Sequence, residues 1–450
     1  MSTPARTMPS RATEIVGAAN FTDDPGELAK YAVDGLRPGG AVQPGSAEEV
    51  AEMVKLAVAE RFAVIPIGAR TKLGMGMPPS RYDLAIDMTR LDRVISYDPG
   101  DLTLSVEAGI PLARLSDVLA QRKQFLPLAG PFYERATVGG TLASGADSPL
   151  RQMYGTARDF VLGMEFVTGD GAQAKSGGRV VKNVSGYDLH KLMLGAIGSL
   201  GVITRVNFKT FPLSAETRDW LAGFPRAEDA FAFANSVRKS PLAAQSVEVF
   251  DRRTMAMLSA ELSVEQSEWD VAISAAGNEP VLERSANDLQ TLARNGNAAT
   301  FTALDSSRAN TLQAAIREFP ALMEKRSSDS VIVKATALPA RMVENVQSFL
   351  SIAAERGLPC AILARGVGVI YFALLPAERE IARLTQCAKE MFSAAGKRGI
   401  CATIVRCPLE VKREINIWGA AAGDFALMQQ VKQAFDPHGI LAPGRFVGGL

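Results

Sequence analysis

Histidine is the scarcest of the residues that commonly act in catalysis, with only His190 and His438 among 450 residues. Histidine is the commonest general base and a common metal ligand, so this scarcity excludes a site built from several histidines. None lies between residues 216 and 410. The sequence therefore predicts no metal site, and we interpret both histidines as structural.

Cysteine is almost as rare, and the four cases are Cys360, Cys387, Cys401 and Cys407. None belongs to a CxxC pair, and their spacing fits neither an iron–sulfur cluster nor a zinc ribbon. We therefore expect reduced, structural thiols in a cytoplasmic protein.

The sequence also lacks an excess of charge and long apolar runs. Its 49 Lys and Arg residues against 48 Asp and Glu residues give a formal net charge of +1, which indicates neither a nucleic acid nor an acidic membrane as partner. No stretch approaches about 18 continuous apolar residues, and the N-terminal MSTPARTMPSRATEIVG contains no signal-peptide core. We expect no transmembrane segment.

The sequence does contain short helix and strand patterns in alternation. Residues 46–61 carry an apolar face at helical spacing behind Ser46 and Glu49, which have capping-box spacing. The apolar run 63–67 predicts a buried strand. From about residue 216, longer helical patterns alternate with strand patterns, which favours an antiparallel sheet with helices on one face. The length and this pattern predict an α+β fold with more than one domain.

Three glycine-dense segments stand out in the first half, at residues 66–76, 137–145 and 195–201. Glycine lets the backbone approach a ligand closely, and successive N–H groups of a tight turn form an anion-binding concavity. Each segment alone is also typical of an ordinary turn or of close packing between two chain segments. Together they indicate an extended ligand such as a dinucleotide, although neither a GxGxxG nor a Walker A motif is present.

The order and spacing of these segments resemble the PCMH-type FAD-binding domain of the vanillyl-alcohol oxidase family. The similar motifs are IPIGARTK at 65–72, TVGGTLASGA at 137–146, YGTARDFVLGMEFVTGDG at 154–171, KNVSGYDLHKLMLGAIGSLGVITRV at 182–206 and DPHGILAPGRF at 436–446. Within the family, the sequence around the last two motifs is most similar to the FAD-binding E subunit of bacterial glycolate oxidase.

This resemblance implies an order of domains. An N-terminal tail, residues 1–35, would precede a PCMH-type FAD-binding domain, residues 36–215. Residues 216–415 would form an α+β cap, an antiparallel sheet with helices. Residues 416–450 would return to pack on the FAD-binding domain.

The resemblance also implies which residues hold FAD. The first loop would hold the pyrophosphate, the second segment would line the ribityl chain and flavin, and the third would contact the adenosine. The residues so assigned are Pro66, Gly68, Ala69, Arg70, Thr71, Lys72, Thr137, Val138, Gly139, Gly140, Thr141, Ser144, Gly145, Gly198, Gly201, Val202 and Ile203. Arg158 and Asp159 match a further motif, where they would contact the cofactor or form a paired structural link.

Two departures from the family pattern change what is expected at the cofactor. Ile197 and Gly198 stand where the family usually has a polar residue and a glutamate, so contacts there would come mainly from the backbone. Ala442 replaces the usual asparagine of an NPG motif and removes one side-chain hydrogen bond. Members with covalent flavin attach it through a histidine in or near the flavin loops. Neither loop here contains one, so we expect non-covalent FAD.

The KNxxGYD motif supplies Lys182 and Tyr187, which are either polar groups near the active centre or buried hydrogen-bonding residues. We expect a flavoprotein subunit of a multi-subunit glycolate (2-hydroxy acid) oxidase or dehydrogenase. It would pass electrons through FAD toward an iron–sulfur subunit, with a second flavoprotein subunit as further partner and membrane association only through these partners. The alternatives are a self-sufficient FAD oxidoreductase of a hydroxy acid or sugar-type alcohol, and a non-catalytic scaffold with a degenerate flavin site.

Overall fold

The computed structural model describes residues 8–179, 186–258, 266–421 and 423–450. Within these ranges the chain forms four sheets with helices packed against them, which confirms the predicted α+β class. The first two sheets and the last residues of the chain build one half of the molecule, and the largest sheet builds the other.

Four short strands form the first sheet: β1 (Phe21–Thr22), β2 (Gly40–Val42), β3 (Val64–Ile67) and β4 (Leu84–Asp87). They are ordered β1–β2–β4–β3, and β4 runs parallel to both β2 and β3. Because parallel strands end at the same edge of a sheet, the loop after β3 and the last residue of β4, Asp87, lie side by side.

The second sheet is antiparallel and has the strand order β5–β6–β10–β8–β9, with a separate two-stranded pair, β7 and β11, beside it. Its strands and the separate pair are β5 (Val94–Asp98), β6 (Thr103–Glu107), β7 (Gln124–Phe125), β8 (Val161–Val167), β9 (Gln173–Gly177), β10 (Val202–Lys209) and β11 (Phe211–Pro212).

Eight helices accompany these two sheets within the described residues. They are α1 (Met8–Val16), α2 (Pro25–Leu28), α3 (Ala47–Glu60), α4 (Leu112–Ala120), α5 (Val138–Ala143), α6 (Arg151–Tyr154), α7 (Ala157–Phe160) and α8 (His190–Met193). The predicted cap of α3 is present: the Ser46 hydroxyl accepts a hydrogen bond from the Glu49 N–H at 3.1 Å, and the Glu49 carboxylate accepts one from the Gly45 N–H at 2.7 Å.

The largest sheet has eight strands, and every neighbouring pair in it is antiparallel. In spatial order they are β15 (Thr300–Leu304), β12 (Glu216–Phe224), β14 (Trp269–Gly277), β13 (Ala244–Asp251), β17 (Cys360–Arg365), β18 (Val369–Leu374), β16 (Val331–Thr336) and β19 (Cys401–Arg406). We call the sheet and its helices the cap.

Helices cover both faces of the cap sheet, so the prediction of helices on one face is wrong. One apolar cluster joins the sheet to α9 (Ala227–Lys239), α11 (Glu279–Asn295), α14 (Met342–Glu355) and α15 (Ile381–Lys397). A second cluster lies on the opposite face and contains α10 (Arg252–Leu258), α12 (Ser306–Arg317) and α13 (Phe319–Arg326). In the strands, alternate residues serve the two clusters, as Ile332 and Val333 do in β16.

After the cap, α16 (Leu409–Glu414) and α17 (Phe425–Phe435) lead the chain back to the first half. The Val64 N–H donates to the Ile440 carbonyl and the Ala442 N–H to the Val64 carbonyl, both at 2.8 Å, so residues 440–442 continue the first sheet beyond β3. Lys432 of α17 is buried and donates to the carbonyls of Ser199 at 2.8 Å and Leu441 at 2.9 Å. The last residues therefore brace the segment that precedes β10.

Candidate functional site

A cleft, here called the first cavity, opens where three chain segments of the first half meet. These are the loop after β3, helix α5 and the turn that leads into β10. Most residues predicted to hold a cofactor line it: Pro66, Gly68, Ala69, Arg70, Thr71, Lys72, Thr137, Gly139, Gly140, Ser144, Gly198, Gly201, Val202 and Ile203. Segments far apart in sequence are thus brought to one surface.

The loop of residues 68–74 has backbone N–H groups without a protein partner. Within the described chain, none of these seven residues donates its N–H to a carbonyl or to a side chain. A Cβ on Gly68 would overlap the Thr137 hydroxyl, so only glycine lets the loop lie this close to α5. Unused donors in a tight loop form a site that favours an anion.

Within the second glycine segment, Val138–Ala143 form helix α5 rather than an ordinary turn. The Thr137 hydroxyl accepts a hydrogen bond from the Gly140 N–H at 3.2 Å and so caps α5. A Cβ on Gly139 would lie 2.8 Å from the Ala108 Cβ and 3.0 Å from the Ala108 carbonyl oxygen. The segment therefore both packs closely on a neighbouring strand and lines the first cavity.

Arg70 lines the cleft, but its charge is balanced by a buried carboxylate. Its guanidinium donates to Asp87 at 2.9 Å and lies 5.0 Å from the centre of the Tyr31 ring, and the Tyr31 hydroxyl also donates to Asp87 at 2.9 Å. Burial raises the pKa of Tyr31 to about 12, so it remains a donor. Arg70 has a φ of +61°, a conformation that non-glycine residues seldom adopt.

A second cavity adjoins the first and separates the loop after β3 from the cap. Residues 70–73, Met75 and Ser144 belong to both cavities. The opposite wall is formed by the cap, through Lys334, Tyr371 and Thr403 among others. A molecule in the second cavity therefore lies against both halves.

Three of these cap residues are neighbours because of strand register. Lys334 of β16 is paired with Tyr371 of β18 on one side and with Thr403 of β19 on the other. Directly paired residues project from the same face of a sheet, so they form one row across it. The Lys334 ammonium lies 5.9 Å from the centre of the Tyr371 ring.

Two lysines face each other across the second cavity, Lys334 from the cap and Lys72 from the loop. Neither forms an ion pair with a carboxylate in the described part of the chain. Burial lowers the pKa of Lys334, an effect that Asp147 partly opposes, and burial lowers the pKa of Lys72 to about 8. Glu324, by contrast, is paired with Arg406 at 3.0 Å. The second cavity thus favours an anionic ligand.

A buried ion cluster connects the two halves beside this cavity. Arg365 of β17 donates to Asp147 at 2.5 Å and to Glu248 at 2.8 Å, and all three side chains are almost fully buried. Burial alone would raise the pKa of Asp147, but Arg365, Lys334 and Arg151 hold it below its usual value. Burial raises the pKa of Glu248 to about 7. We call Asp147, Glu248 and Arg365 the ion clasp.

Several predicted cofactor residues lie outside the first cavity. Val138 is buried in the apolar core and Thr141 is buried in α5, and neither lines a cavity, while Gly145 lines only the second. Arg158 and Asp159 line neither cavity. Arg158 donates to the Lys191 carbonyl at 3.0 Å, and Asp159 caps α7 through the Thr156 N–H at 2.7 Å. They are therefore not paired with each other.

The structure does not bring Tyr187, one of the two residues predicted to be catalytic, to either cavity. The residue is 89% exposed, and its catalytic role stays a prediction. Lys182 lies outside the described residues. His190 is buried in α8, where its Nδ1 is 3.0 Å from the Ser176 hydroxyl, and burial lowers its pKa.

Sequence reasoning missed the entire cap wall of the second cavity and the cleft residues Leu73, Met75, Met88 and Arg445. One signal was available: Lys334 interrupts the apolar run VIVKAT, and a charge within a strand of buried residues requires a special environment. Which face of the strand it occupies depends on pairing that local sequence does not determine.

Two further features concern metals and membranes. Within the described residues, no group of three or more His, Cys, Asp or Glu side chains is arranged to hold a metal ion. The same residues include no helix with the length and apolar character needed to cross a bilayer.

Two family models match the chain. "FAD binding domain" matches residues 38–177, and "FAD linked oxidases, C-terminal domain" matches residues 214–399 and 418–446. Together they span most of the sequence and include the first two glycine segments, whereas residues 195–203, which also line the first cavity, lie between the two matches.

Curated relatives match over different lengths. Glycolate oxidase subunit GlcD of Bacillus subtilis is 23% identical over 445 residues, 96% of this chain and 95% of the relative. Glycolate oxidase subunit GlcE of Escherichia coli is 38% identical over 162 residues, 36% of this chain and 46% of the relative. D-2-hydroxyglutarate dehydrogenase of Xanthomonas citri is 31% identical over 201 residues, 44% of this chain and 43% of the relative.

Among solved structures, p-cresol methylhydroxylase with substrate bound aligns with a TM-score of 0.79 at 17% identity, covering 97% of this chain and 95% of that one. 4-Ethylphenol oxidase from Gulosibacter chungangensis aligns with a TM-score of 0.77 at 17% identity, covering 97% and 96%. At this identity the likeness establishes the fold.

Proposed function

Because the chain belongs to the PCMH-type FAD-binding flavoproteins and has FAD as its cofactor, we propose that it oxidises a 2-hydroxy acid held in the second cavity. When bound, FAD supplies the two-electron acceptor for this chemistry. The residues described above bind the cofactor, orient the substrate and keep water from it. The domain limits of 36–215, 216–415 and 416–450 and the assigned FAD contacts remain part of the proposal.

The lining of the first cavity suits the chemistry of FAD. The free N–H groups of residues 68–74 suit a pyrophosphate, which needs several donors and no Cβ in its way. The close approach of Gly68 to Thr137 and of Gly139 to Ala108 forms a narrow cradle that longer side chains would fill. The Arg445 Nε is buried without a partner among the described residues and lines the same cleft.

The observation that carries the substrate class is the pair of unpaired lysines in the cavity next to this cradle. A buried ammonium group without a counter-ion is costly, and a carboxylate of the substrate would remove that cost. We assign Lys334 to the carboxylate because it is anchored in the cap sheet. The names of the relatives, which include glycolate oxidase subunits and a hydroxyglutarate dehydrogenase, support the same class of substrate.

Anaerobic reduction of the purified flavoprotein tests this proposal. Glycolate, D- and L-lactate and 2-hydroxyglutarate are mixed with it, and ethylene glycol serves as a matched control that lacks only the carboxylate. At least one hydroxy acid should bleach the flavin absorbance while ethylene glycol does not. Equal bleaching by acids and neutral alcohols, or none by any acid, would contradict the proposal.

A substitution in the cap separates binding from chemistry. Lys334→Met should raise the acid concentration needed for half-maximal reduction roughly 10- to 100-fold, because one charge-assisted hydrogen bond is lost. The reduction rate at saturation should change far less. The exposed Lys389 of the cap offers a matched control, because Lys389→Met removes the same charge far from the cavity.

For the acceptor of the electrons, we propose an iron–sulfur subunit, with a second flavoprotein subunit in the same complex. Similarity to two different glycolate oxidase subunits supports this arrangement. Purification of the tagged chain from its native cells, followed by mass spectrometry, should recover both partners. Recovery as a lone monomer with full substrate-dependent dye reduction would instead favour a self-sufficient oxidoreductase.

FAD is proposed to be held without a covalent bond. No histidine or cysteine, the residues that most often attach a flavin ring, is among the described residues that line either cavity. Acid precipitation should therefore release all of the yellow colour into the supernatant. Colour retained in the pellet would contradict this, and a colourless protein would favour the scaffold alternative.

A further inference from the structure

We propose that Lys72 accepts the hydroxyl proton of the substrate, an inference that rests on the hydroxy-acid oxidation proposed above. Lys72 lines both cavities and so stands where a substrate in the second meets a cofactor in the first. Its Nζ is 5.8 Å from the centre of the Phe132 ring, and Phe132 lines only the second cavity. The amine therefore lies on the substrate side of the loop.

No ion pair holds a proton on this amine in the described chain. The hydrogen bond that Nζ makes is to the Thr71 hydroxyl, at 3.3 Å. Glu318 is the carboxylate whose charge acts on it, but that carboxylate already accepts the N–H groups of Phe132 at 2.6 Å and Tyr133 at 3.0 Å. Lys72 is thus free to lose its proton and regain it.

The surroundings bring the neutral form of the amine within reach at physiological pH, where the ammonium form still predominates. Burial lowers the pKa of Lys72 to about 8, and Glu318 only partly opposes this. A base of this strength is well matched to proton transfer at neutral pH. The charged and titratable groups that share the second cavity with it are Lys30 and Arg70 from its own half, Asp147 from the segment after α5, Glu324 from α13, and Lys334, Tyr371 and Arg406 from the cap strands.

The other groups around the cavity are less suited to the task. Asp147 is held by Arg365 with its pKa lowered, and Glu324 is paired with Arg406. Burial raises the pKa of Tyr371, which makes its hydroxyl a donor at every ordinary pH. Among described residues lining the cavity, Lys72 combines a free amine, a place next to the cofactor cleft and a pKa near neutrality.

The proposed step balances in atoms and electrons. The neutral Lys72 amine forms an N–H bond as the substrate O–H bond breaks, and the freed electron pair becomes the second bond of a C2=O group. The C2–H bond breaks at the same carbon, and bound FAD would supply the acceptor for this hydrogen and its two electrons. The substrate becomes a 2-oxo acid, and Lys72 becomes an ammonium ion.

The first experiment measures the amine itself. The FAD-loaded protein is labelled with 13C-lysine, the Cε resonances are titrated by NMR, and Lys72 is assigned through Lys72→Arg. Its midpoint should lie near pH 8, against about 10.4 for a lysine in an unstructured peptide. A midpoint above 10 would overturn the inference, because it would mean that Lys72 pairs with the cofactor pyrophosphate.

The second experiment measures flavin reduction. Arg keeps the charge but does not lose its proton, and Met removes both, so Lys72→Arg and Lys72→Met should each slow reduction roughly 10²- to 10⁴-fold. FAD content should stay at one per chain. In the wild-type protein the reduction rate should rise with pH through about 8. The rates of the two variants should not show this rise. Lys55→Met, far from both cavities, should behave as wild type.

The outcomes separate this inference from the function beneath it. If no hydroxy acid reduces the wild-type flavin, the proposed function has failed. If the wild-type protein is reduced and Lys72→Met is reduced at the same rate, only the role of Lys72 has failed. Loss of FAD from the variants, with normal reduction after reconstitution, assigns Lys72 to cofactor binding and overturns the proton-transfer role.

Discussion

Asp270 shows what burial does to a single ionisable side chain. It lies in β14 with no exposed surface, and burial raises its pKa to about 7, only partly offset by the backbone N–H of Ser267. In the unfolded chain a carboxyl group of this kind titrates near 3.9. The folded protein therefore holds a proton between about pH 4 and 7 that the unfolded chain has released.

This difference predicts the pH dependence of stability. Because the folded state binds more protons in that window, the free energy of unfolding falls as pH rises from about 4 to 7, by roughly 2–4 kcal/mol from this group. Asp270→Asn removes the titration and should flatten the decline. Urea unfolding at pH 5 and pH 8 measures it, and an unchanged difference between the two pH values would contradict the prediction.

Gly139 is a residue at which one methyl group matters. A Cβ there would press on the Ala108 side chain and carbonyl oxygen, and the backbone part of that contact has no room to move. Gly139→Ala should weaken FAD binding and destabilise the protein by about 1–3 kcal/mol. Fluorescence titration with FAD and thermal unfolding measure the two effects.

The matched control for that variant is Gly396→Ala. A Cβ at Gly396, in α15, meets no atom within 4 Å. Alanine also favours a helix over glycine, so this variant should keep FAD affinity and gain up to about 1 kcal/mol. Equal loss of FAD in both variants would show that cradle geometry is not the cause.

At the scale of elements, the ion clasp ties β13 and β17 of the cap to the segment after α5. Its arginine satisfies two buried carboxylates at once, so it is the member whose loss leaves the largest uncompensated charge. Asp147 of the ion clasp also interacts electrostatically with Lys334, which lies in the cap wall of the second cavity.

Arg365→Met should therefore destabilise the protein by about 3–5 kcal/mol. The control is Arg252→Met, which breaks an exposed pair with Glu268 in the same cap and should change stability by no more than about 0.5 kcal/mol. Urea midpoints compare the two. If both variants unfold alike, the clasp does not hold the halves together.

Elements were predictable where their signals are local. The run of residues 63–67 contains the predicted strand, as β3, and α3 has the cap that its sequence indicated. Strands β12 and β15 have weaker local signals, because β12 begins with the polar residues 216–219 and no residue of β15 is buried; their strand state comes from pairing with distant segments. Helix α5 forms although two glycines disfavour a helix, because packing against Ala108 overrides that preference.

At the scale of the whole molecule, the site divides into a part that sequence reveals and a part that only folding creates. The first cavity follows from glycine segments and motifs whose physical meaning is local. The second cavity exists because Lys334, Tyr371 and Thr403, on three strands, come to lie opposite Lys72. No spacing rule in one sequence connects these positions.

The thiols provide a test of the fold as a whole. Of the four cysteines only Cys401 is exposed, and burial raises the pKa of Cys387 and Cys407 to about 12 and that of Cys360 well above its usual value. A chromogenic thiol reagent should therefore react with one group in the native protein and four after unfolding. Reaction of two or more native thiols would contradict this packing.

The return of residues 440–442 to strand β3 has a consequence for synthesis on the ribosome. The Val64 backbone receives its partners only when Ile440 and Ala442 have been made. At about 5–20 residues per second, these partners emerge roughly 20 to 75 s after Val64. The edge of β3 stays open through that interval, while the whole cap is translated. A stop codon in the final few dozen positions would therefore harm the oldest part of the nascent chain.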